Sequence, residues 1–519
     1  MRSSLDRLGG APVHPFLFGT LFVAYLLAEN LEDQVATGDV LGVLGIVLLA
    51  VTGVFALLVA AIRNVRLAAV LTSVAVVWVF LYGPINQYLG AEPGESALDP
   101  LLWSLVGLIA LAAASAARTH VVVLTRALNL VAGVLLLFNL APVVPHQIAT
   151  ATAPTYVAPG IESLPGLPDG QAADRRDIYY IILDRYPSQK TLLSTAYGFD
   201  NTPFLSKLER IGFYVADDSR ANYAMTALSL ASSLNMDYLD ADAMKRVAPS
   251  PRDWKSVYDM LAGSLAAPKI LEEQGYTHVQ LPSWFAATAA GQEVDVRYRV
   301  RWLPEFGHVL LNTTVVPKLL ALAGIAPDKS HIENALYQFS KLTELDDIPG
   351  PKFVFAHILL PHPPYVFDAD GPLPVEERKP DDCCNPTARF LAQLEYTNRR
   401  VLEVVDDLLA GPVAEHPIII IQADEGPRPA DQVSDWREAS FEQVQQKFGI
   451  LNTYYFPGIP DPGLYPSITP VNSFRVLFND YFGAELPLLD DRVLATFGSA
   501  PSLYDYVDIT DRFQASTVD

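Results

Sequence analysis

Cysteine is almost absent from this chain of 519 residues: there are two, Cys383 and Cys384, and they are neighbours. Adjacent cysteines rarely reach disulfide geometry, so no disulfide framework is indicated, and the redox compartment is not legible from them. Positive charge is also scarce. Lys and Arg number 36 against 58 Asp and Glu, a net charge of −22 with His neutral. An acidic chain of this kind excludes nucleic acid as a partner, because binding phosphate backbones needs a basic face. The shortage is uneven. Residues 1–150 contain no lysine, six arginines and eight acidic residues, net −2, which leaves 30 basic and 50 acidic side chains to the rest.

What is abundant is apolar sequence, at 50% of all residues. Five apolar stretches, about 15–30, 41–62, 67–90, 101–117 and 121–144, approach or exceed the roughly 17–25 residues that a helix needs to cross a bilayer. The first lacks a small-x-small cleavage site and reads as a retained span rather than a signal peptide. Arginines fall on alternate connections: Arg2 and Arg7 before the first stretch, Arg63 and Arg66 between the second and third, Arg118 and Arg126 around the start of the fifth. The positive-inside rule then predicts a multi-pass protein of the plasma membrane, with its N-terminus in the cytoplasm and everything after residue 150 extracellular or periplasmic. The expected organisation is a five-helix transmembrane bundle over 1–147, a Pro/Gly/Ala-rich linker over 148–175, and an outward-facing domain over 176–519.

That last part alternates short, continuous apolar runs with helical patterns. "DIYYIILD" (177–184), "THVQLP" (277–282), "KFVFAHILL" (352–360) and "PIIIIQAD" (417–424) read as strands buried on both faces of a largely parallel sheet. Residues 390–409 have the three- and four-residue apolar spacing of a helix, and 202–212 runs from a capping Thr to a terminal Gly. The fold class is therefore an N-terminal all-α bundle followed by a layered α/β domain. Ligands of such sheets sit beyond the carboxyl ends of the strands, and two of the four strands end there in Asp184 and Asp424.

Asp184, Asp424 and Glu425 each have an ordinary reading as turn or cap residues. Gathered at one sheet edge they would repel one another unless a cation joined them, and hard oxygen ligands suit Mg2+, Mn2+ or Ca2+. Thr226 opens a helical pattern in "NYAMTALSLASSLNM", with Leu228, Leu230 and Leu234 inward. A hydroxyl at the first turn faces the positive end of the helix dipole, and coordination to a metal would make it a nucleophile; its plain alternative is a helix cap. In "AHILLPHPPYVFDADG", His357 lies within the strand and reads equally as a buried, hydrogen-bonded histidine. His362 follows among prolines and is placed to hold a substrate oxyanion or protonate a leaving group. His14, His120, His146, His278 and His416 read as structural, while His308 and His331 fall in a loop-rich middle.

Together, "IYYIILDRY", "NYAMTALSLASSLNM", "HILLPHPPYVFDADG", "IIIIQADEG" and "VNSFRVLFNDYFG" resemble the sulfatase-like branch of the alkaline phosphatase superfamily, from about residue 177 to 490. Five spans before such a domain resemble the lipoteichoic-acid-synthase and phosphoethanolamine-transferase type. The resemblance implies an alkaline-phosphatase-like α/β fold and one divalent ion, Mn2+ first, with Mg2+, Ca2+ or Zn2+ as alternatives. The ion would be held by Asp184, Thr226, Asp424 and Glu425, with Thr226 as nucleophile and His362, Arg185 and Asn222 on the substrate side. Glu425 stands where the family usually has His, and Arg185 where a small residue often follows the first Asp. Glutamate would favour a harder ion than zinc, whereas Arg185 either holds a substrate anion or neutralises the carboxylates and makes an ion unnecessary. The formylglycine motif Cys/Ser-x-Pro-x-Arg is missing around Thr226, which argues against an arylsulfatase. The implied activity is metal-dependent transfer of a phospho-linked head group between membrane lipids and an envelope glycan or lipid. The alternatives are hydrolysis of a phosphodiester or sulfate ester, and a membrane-anchored binding domain that has lost its chemistry.

Overall fold

The structure, a computed structural model, describes residues 10–33, 35–90, 96–156, 175–263, 265–289, 294–298, 303–325, 330–374, 386–429, 433–496 and 500–513. Cys383, Cys384, Arg2, Arg7 and residues 157–174 of the expected linker lie outside them. The chain divides into two compact units: Met1–Ala153 with Trp302–Lys329, and Pro154–Arg301 with Ser330–Asp519. A stretch from the middle of the expected α/β domain thus groups with the N-terminal helices.

In the first unit each expected apolar stretch is helical: His14–Glu29, Thr37–Ile62, Val65–Phe80 with Tyr82–Tyr88, Pro100–Ala116 and Val121–Thr152. Two segments are long and apolar enough to cross a membrane, Thr37–Ile62 and the 53-residue stretch Pro100–Thr152, which a 3-10 turn at Ala117–His120 interrupts. A third qualifies if Val65–Phe80 and Tyr82–Tyr88, bent by 43°, count as one span, while His14–Glu29 is shorter at 16 residues. The bend falls at Leu81, between the two helices and three residues before Pro84, which can donate no helical hydrogen bond back across it. Large apolar side chains face outward along these helices, among them Leu49, Leu57, Leu108 and Phe138. Some polar groups inside are paired: His14 Nδ1 lies 2.6 Å from Ser73 Oγ, and Asn129 Oδ1 accepts the His14 N–H at 3.0 Å.

Residues 303–325 add two short helices to this unit, Glu305–Asn312 and Val316–Leu322. Phe306 and Leu310 are buried with Val43, Val47 and Val76, and Val315 is buried with Tyr82 and Trp103. The Gly83 N–H, released by the bend, donates to the Thr313 carbonyl at 2.8 Å. A Cβ at Gly83 would stand 2.3 Å from that oxygen, so only glycine permits the approach.

The second unit is built on a seven-stranded sheet. Its strands are β1 (Ile178–Leu183), β2 (Tyr214–Val215), β3 (Thr277–Leu281), β4 (Val296–Arg297), β5 (Lys352–Ile358), β8 (Ile418–Gln422) and β9 (Asn452–Tyr455). Two small hairpins stand apart, β6 (Phe367–Asp368) with β7 (Gly371–Pro372), and β10 (Leu494–Thr496) with β11 (Tyr506–Asp508). The order is β2-β9-β8-β1-β5-β3-β4, parallel from β8 to β4, with β9 and β2 antiparallel at one edge. All four expected strands are present within two residues of their expected ends.

Their unbroken apolar runs follow from coverage on both faces. Tyr179, Ile181, Leu183, Ile419 and Ile421 enter one core, with Phe390, Leu394 and Val405 of the helix Pro386–Leu408. Ile178, Tyr180, Ile182, Ile418 and Ile420 enter the other, with Leu228 and Leu234 of the helix Thr226–Asn235 and Phe474 of Pro470–Phe482. This is the period of two expected of a strand, with no polar face. The helix Thr202–Ile211 begins one residue after its cap, Asn201 rather than Thr202, and ends at Gly212 with φ +113°.

Candidate active site

Three neighbouring strands, β8, β1 and β5, bring their carboxyl ends together, and each contributes one side chain of the kind that holds a metal. Asp184 directly follows β1, its N–H donating to the Ile358 carbonyl at 3.0 Å. Asp424 stands two residues beyond β8. His357 lies on β5, in register with Ile182. One ligand-type atom from each lies within 4.8 Å of those of the other two, and all three residues are buried. His357 read from the sequence as equally a structural histidine; only the strand register places it here.

These side chains leave buried polar atoms without a hydrogen-bond partner: Asp184 Oδ1, His357 Nε2 and Asp424 Oδ2. Orphaned atoms of this kind are costly unless something binds them. Burial pushes the Asp184 carboxyl up, but His362, His357 and Arg185 outweigh it and hold it below the ordinary carboxylate range. Burial, with the charges of Asp184 and Glu425, pushes Asp424 well above that range, and the Thr226 hydroxyl and Arg185 N–H offset this only in part. Two carboxylates in one dry site cannot both stay ionised without a cation to share. The other ring nitrogen of His357 is already engaged. Its Nδ1 lies 3.0 Å from Thr288 Oγ1 and 3.2 Å from Ser283 Oγ. Thr288 Oγ1 also lies 3.3 Å from the Phe285 carbonyl, and His357 Nε2 lies 3.4 Å from Asp184 Oδ2. With its proton on Nδ1 the ring would offer the Nε2 lone pair to an ion, as a metal-ligating histidine requires. The donor set therefore fits a divalent ion.

Thr226 is the first residue of its helix, and its hydroxyl lies beside Asp424, whose carboxyl it helps to hold down. The cap position is Met225, with no side-chain cap bond, so the Thr226 hydroxyl is not committed to the helix end. Around it Ala227, Leu228 and Ser229 are buried, whereas Thr226 is half-exposed. It is the accessible member of the site.

Glu425, expected as a ligand, is placed otherwise. Its Oε1 lies 3.2 Å from Arg185 Nε and its Oε2 2.9 Å from Lys447 Nζ. Among the described residues it is not part of the cluster of ligand-type atoms. The reason is electrostatic: two cations already neutralise it, and leaving them would strand both in the interior. Lys447, which the sequence reading missed, is buried at the end of the helix Phe441–Phe448. Burial lowers its pKa and the Glu425 carboxylate partly restores it. Arg185 occupies the left-handed region with φ +60°, which costs a non-glycine residue about 1–2 kcal/mol. That turn aims its N–H at Asp424 Oδ1, at 3.1 Å, while its side chain reaches Glu425.

The glycine after this acidic pair has a spatial reason. Gly426 N–H donates to the Lys447 carbonyl at 2.8 Å, and a Cβ there would stand 2.2 Å from the Gln446 carbonyl oxygen. Gly426→Ala is expected to push the Gln446–Lys447 backbone away and to cost about 1–3 kcal/mol, read as a lower urea midpoint of the full chain. An unchanged midpoint would mean that the close approach is not maintained in solution.

His362 is half-buried and faces Asp184, and its Nδ1 contacts the carbonyl of Pro363. Gln393, on the helix Pro386–Leu408, holds the loop: its Nε2 donates to the Pro361 and His362 carbonyls at 3.2 and 2.9 Å, and its Oε1 accepts from Val366 and Phe367. No local sequence signal marks Gln393. Asn222, expected on the substrate side, is fully buried. It accepts from the Val471 N–H at 2.9 Å and donates to the Arg492 carbonyl at 2.9 Å and the Tyr238 hydroxyl at 3.1 Å. With its amide spent tying three segments together, it is a structural residue.

No family model matches the sequence, and no curated protein does. Several solved structures are similar in fold. The C-terminal periplasmic domain of EcEptC from Escherichia coli is 12% identical, with 67% of this chain and 97% of that one covered and a TM-score of 0.44. The integral membrane protein lipooligosaccharide phosphoethanolamine transferase A from Neisseria meningitidis is 14% identical, over 86% and 88%, with a TM-score of 0.38. A protein in the alkaline phosphatase superfamily from Vibrio parahaemolyticus is 13% identical, over 67% and 79%, with a TM-score of 0.39. These likenesses are distant, and the chemistry has to be argued from the side chains above. The solved structures to which the chain is similar include phosphoethanolamine transferases and members of the alkaline phosphatase superfamily, the group that its motifs resemble.

Proposed function

We propose that this chain is a membrane-anchored enzyme that transfers a phospho-linked head group from a phospholipid-type donor to an envelope glycan or lipid. The observation that carries the reading is a partly exposed helix-start hydroxyl, Thr226, beside a buried carboxylate of an Asp–His–Asp cluster that has unpartnered polar atoms. In this reading the five apolar helical stretches are spans, with the arginine-bearing connections in the cytoplasm.

Asp184, His357, Asp424 and Thr226 would hold one divalent ion. When bound, it would neutralise the two carboxylates and lower the pKa of the Thr226 hydroxyl. An imidazole beside carboxylates suits Mn2+ or Zn2+, and the case for a harder ion rested on Glu425. Thr226 Oγ, its hydroxyl proton passing to solvent, would form a bond to phosphorus as the bond from phosphorus to the donor's lipid alcohol breaks. The departing alkoxide takes a proton from water, and phosphothreonine remains. The acceptor hydroxyl would then attack phosphorus, its proton passing to His362, and break the P–Oγ bond; Thr226 Oγ takes up a proton from water and is regenerated. His362 suits this second half, because its Nδ1–H is given to the Pro363 carbonyl and burial lowers its pKa. Neutral at pH 7, it offers the Nε2 lone pair to the acceptor's proton. Arg185, at the edge of the cluster, would hold a non-bridging oxygen.

Water as acceptor would make the same site a hydrolase. The degenerate alternative needs Arg185 to replace the ion. Arg185 and Lys447 are already paired with Glu425, which argues against either one taking an ion's place between Asp184 and Asp424.

The test is to incubate the purified full chain with Mn2+ and phospholipid labelled in the head group, then look by mass spectrometry for a phospho-adduct on the peptide containing Thr226. Labelled lipid or glycan supports transfer and free head group supports hydrolysis. Neither product, with no adduct, would sink the reading. Calorimetry supplies an independent check. Wild type is expected to bind one Mn2+ or Zn2+, Asp424→Ala to lose that binding, and Glu425→Gln to keep it. Loss in both variants would return Glu425 to the ligand set.

A further inference from the structure

Residues 303–325 are separated by sequence from the N-terminal helices yet pack among them. The positions they meet are Val43, near the start of Thr37–Ile62, Gly83, just past the bend, and Trp103, near the start of Pro100–Ala116. These are alternate connections of the helical unit, opposite those carrying Arg63, Arg66 and Arg118. The same level is rich in amphipathic aromatics. Trp78 and Trp103 each donate an indole N–H to the other's carbonyl, at 2.9 and 3.0 Å, and the Tyr82 hydroxyl donates to the Leu98 carbonyl at 2.8 Å. Tyr88, in the same helix as Tyr82, is exposed. Aromatic girdles of this kind mark the membrane–water boundary.

On its other side the segment is apolar and uncovered: Val309 is 41% exposed, Leu322 58% and Ile325 54%. Between Phe306 and Ile325 the only titratable side chains are His308 and Lys318. The two helices have eight and seven residues, about 12 and 10 Å of rise, far short of the roughly 30 Å of hydrocarbon. They cannot span.

We propose that residues 303–325 form an interfacial membrane anchor, with Phe306, Leu310 and Val315 docked on the helical unit and Leu322 and Ile325 inserted among the lipids of the outer leaflet. The partner is the phospholipid bilayer itself, because the uncovered apolar surface continues that of helices long enough to cross it. A polar helix face would have served a protein docked in water; the exposed positions here, Val309, Leu322 and Ile325, are apolar. The chain therefore returns to the membrane in mid-sequence, passing between the two units three times. The proposal rests on the reading of the N-terminal helices as spans.

The experiment uses the full chain with Cys383 and Cys384 replaced by Ser, reconstituted in vesicles of phosphatidylethanolamine and phosphatidylglycerol. Single variants Leu322→Cys and Ile325→Cys are labelled with a nitroxide, and power saturation compares collisions with oxygen and with a water-soluble nickel chelate. Leu57→Cys, exposed on a long apolar helix, and Val413→Cys, exposed on the α/β unit, are the lipid and water references. Positions 322 and 325 are expected to follow position 57, more accessible to oxygen than to the chelate. If they follow position 413 while 57 reports lipid, the anchor is disproved and the spans survive. Shielding from both reagents would mean that protein covers the segment, and would overturn it equally. If position 57 itself follows 413, the membrane reading and the anchor fall together.

Discussion

Thr226→Ala is expected to reduce turnover by roughly 10^4-fold or more and to abolish the phospho-adduct, the scale of loss found when a covalent nucleophile is removed. The variant is a clean probe because the fold does not depend on this hydroxyl. Helix capping falls to Met225 without a side-chain bond, and alanine is a better helix former than threonine. Stability should be unchanged or slightly raised. Ion binding should survive, since Asp184, His357 and Asp424 remain, so a dead but loaded protein is the predicted phenotype. Thr226→Ser is expected to retain part of the activity. A Thr226→Ala protein with wild-type turnover would remove the covalent step and leave direct attack by water or acceptor. An inactive protein that has also lost the ion would instead make Thr226 mainly a ligand.

Lys447→Met is expected to be the most destabilising single change at the site, by about 3–5 kcal/mol, the usual cost of breaking a buried ion pair from one side. Side-chain exposures of 5% for Lys447 and 4% for Glu425 leave water little access to compensate. Arg185, the second cation, neutralises only Oε1. The orphaned carboxylate would then compete for the ion or draw Arg185 inward, so weaker substrate binding should accompany the lost stability. The double variant Lys447→Met/Glu425→Gln removes both charges and is expected to recover most of the loss. Urea unfolding of the four proteins closes the cycle, in which the coupling between 425 and 447 is the measured quantity. A single variant within about 1 kcal/mol of wild type would mean that the pair is solvated. A double variant as unstable as the single one would mean that Lys447 acts through packing alone.

The parts of the molecule legible in the sequence are those set by local pattern. Runs such as "IYYIIL" and "IIIIQ" specify strands covered on both faces, since no polar side chain alternates with the apolar ones, and the structure splits their residues between two cores. The helices Pro386–Leu408 and Thr226–Asn235 follow from apolar spacing, and the N-terminal helices from length and composition. Asp184 and Asp424 were legible because ligands gather at the carboxyl ends of parallel strands, and both residues sit at such ends.

What the tertiary structure decided is which of these residues meet. His357 and His362 differ little in sequence, yet register with β1 puts the first inside the cluster and Gln393 holds the second at its rim. Glu425 follows Asp424 directly, but adjacent residues after a strand point to different places, and its direction is set by Arg185 from one segment and Lys447 from another, 22 residues on. Asn222 has a substrate-side position in the motif and a purely internal set of partners. The segment 303–325 is the largest case: its short helices carry no sign in the sequence that they leave the α/β unit for the N-terminal helices. Periodicity and composition report only what a residue's immediate neighbours require. Charge pairing, strand register and a glycine that admits a distant carbonyl are long-range terms, settled when the chain closes on itself.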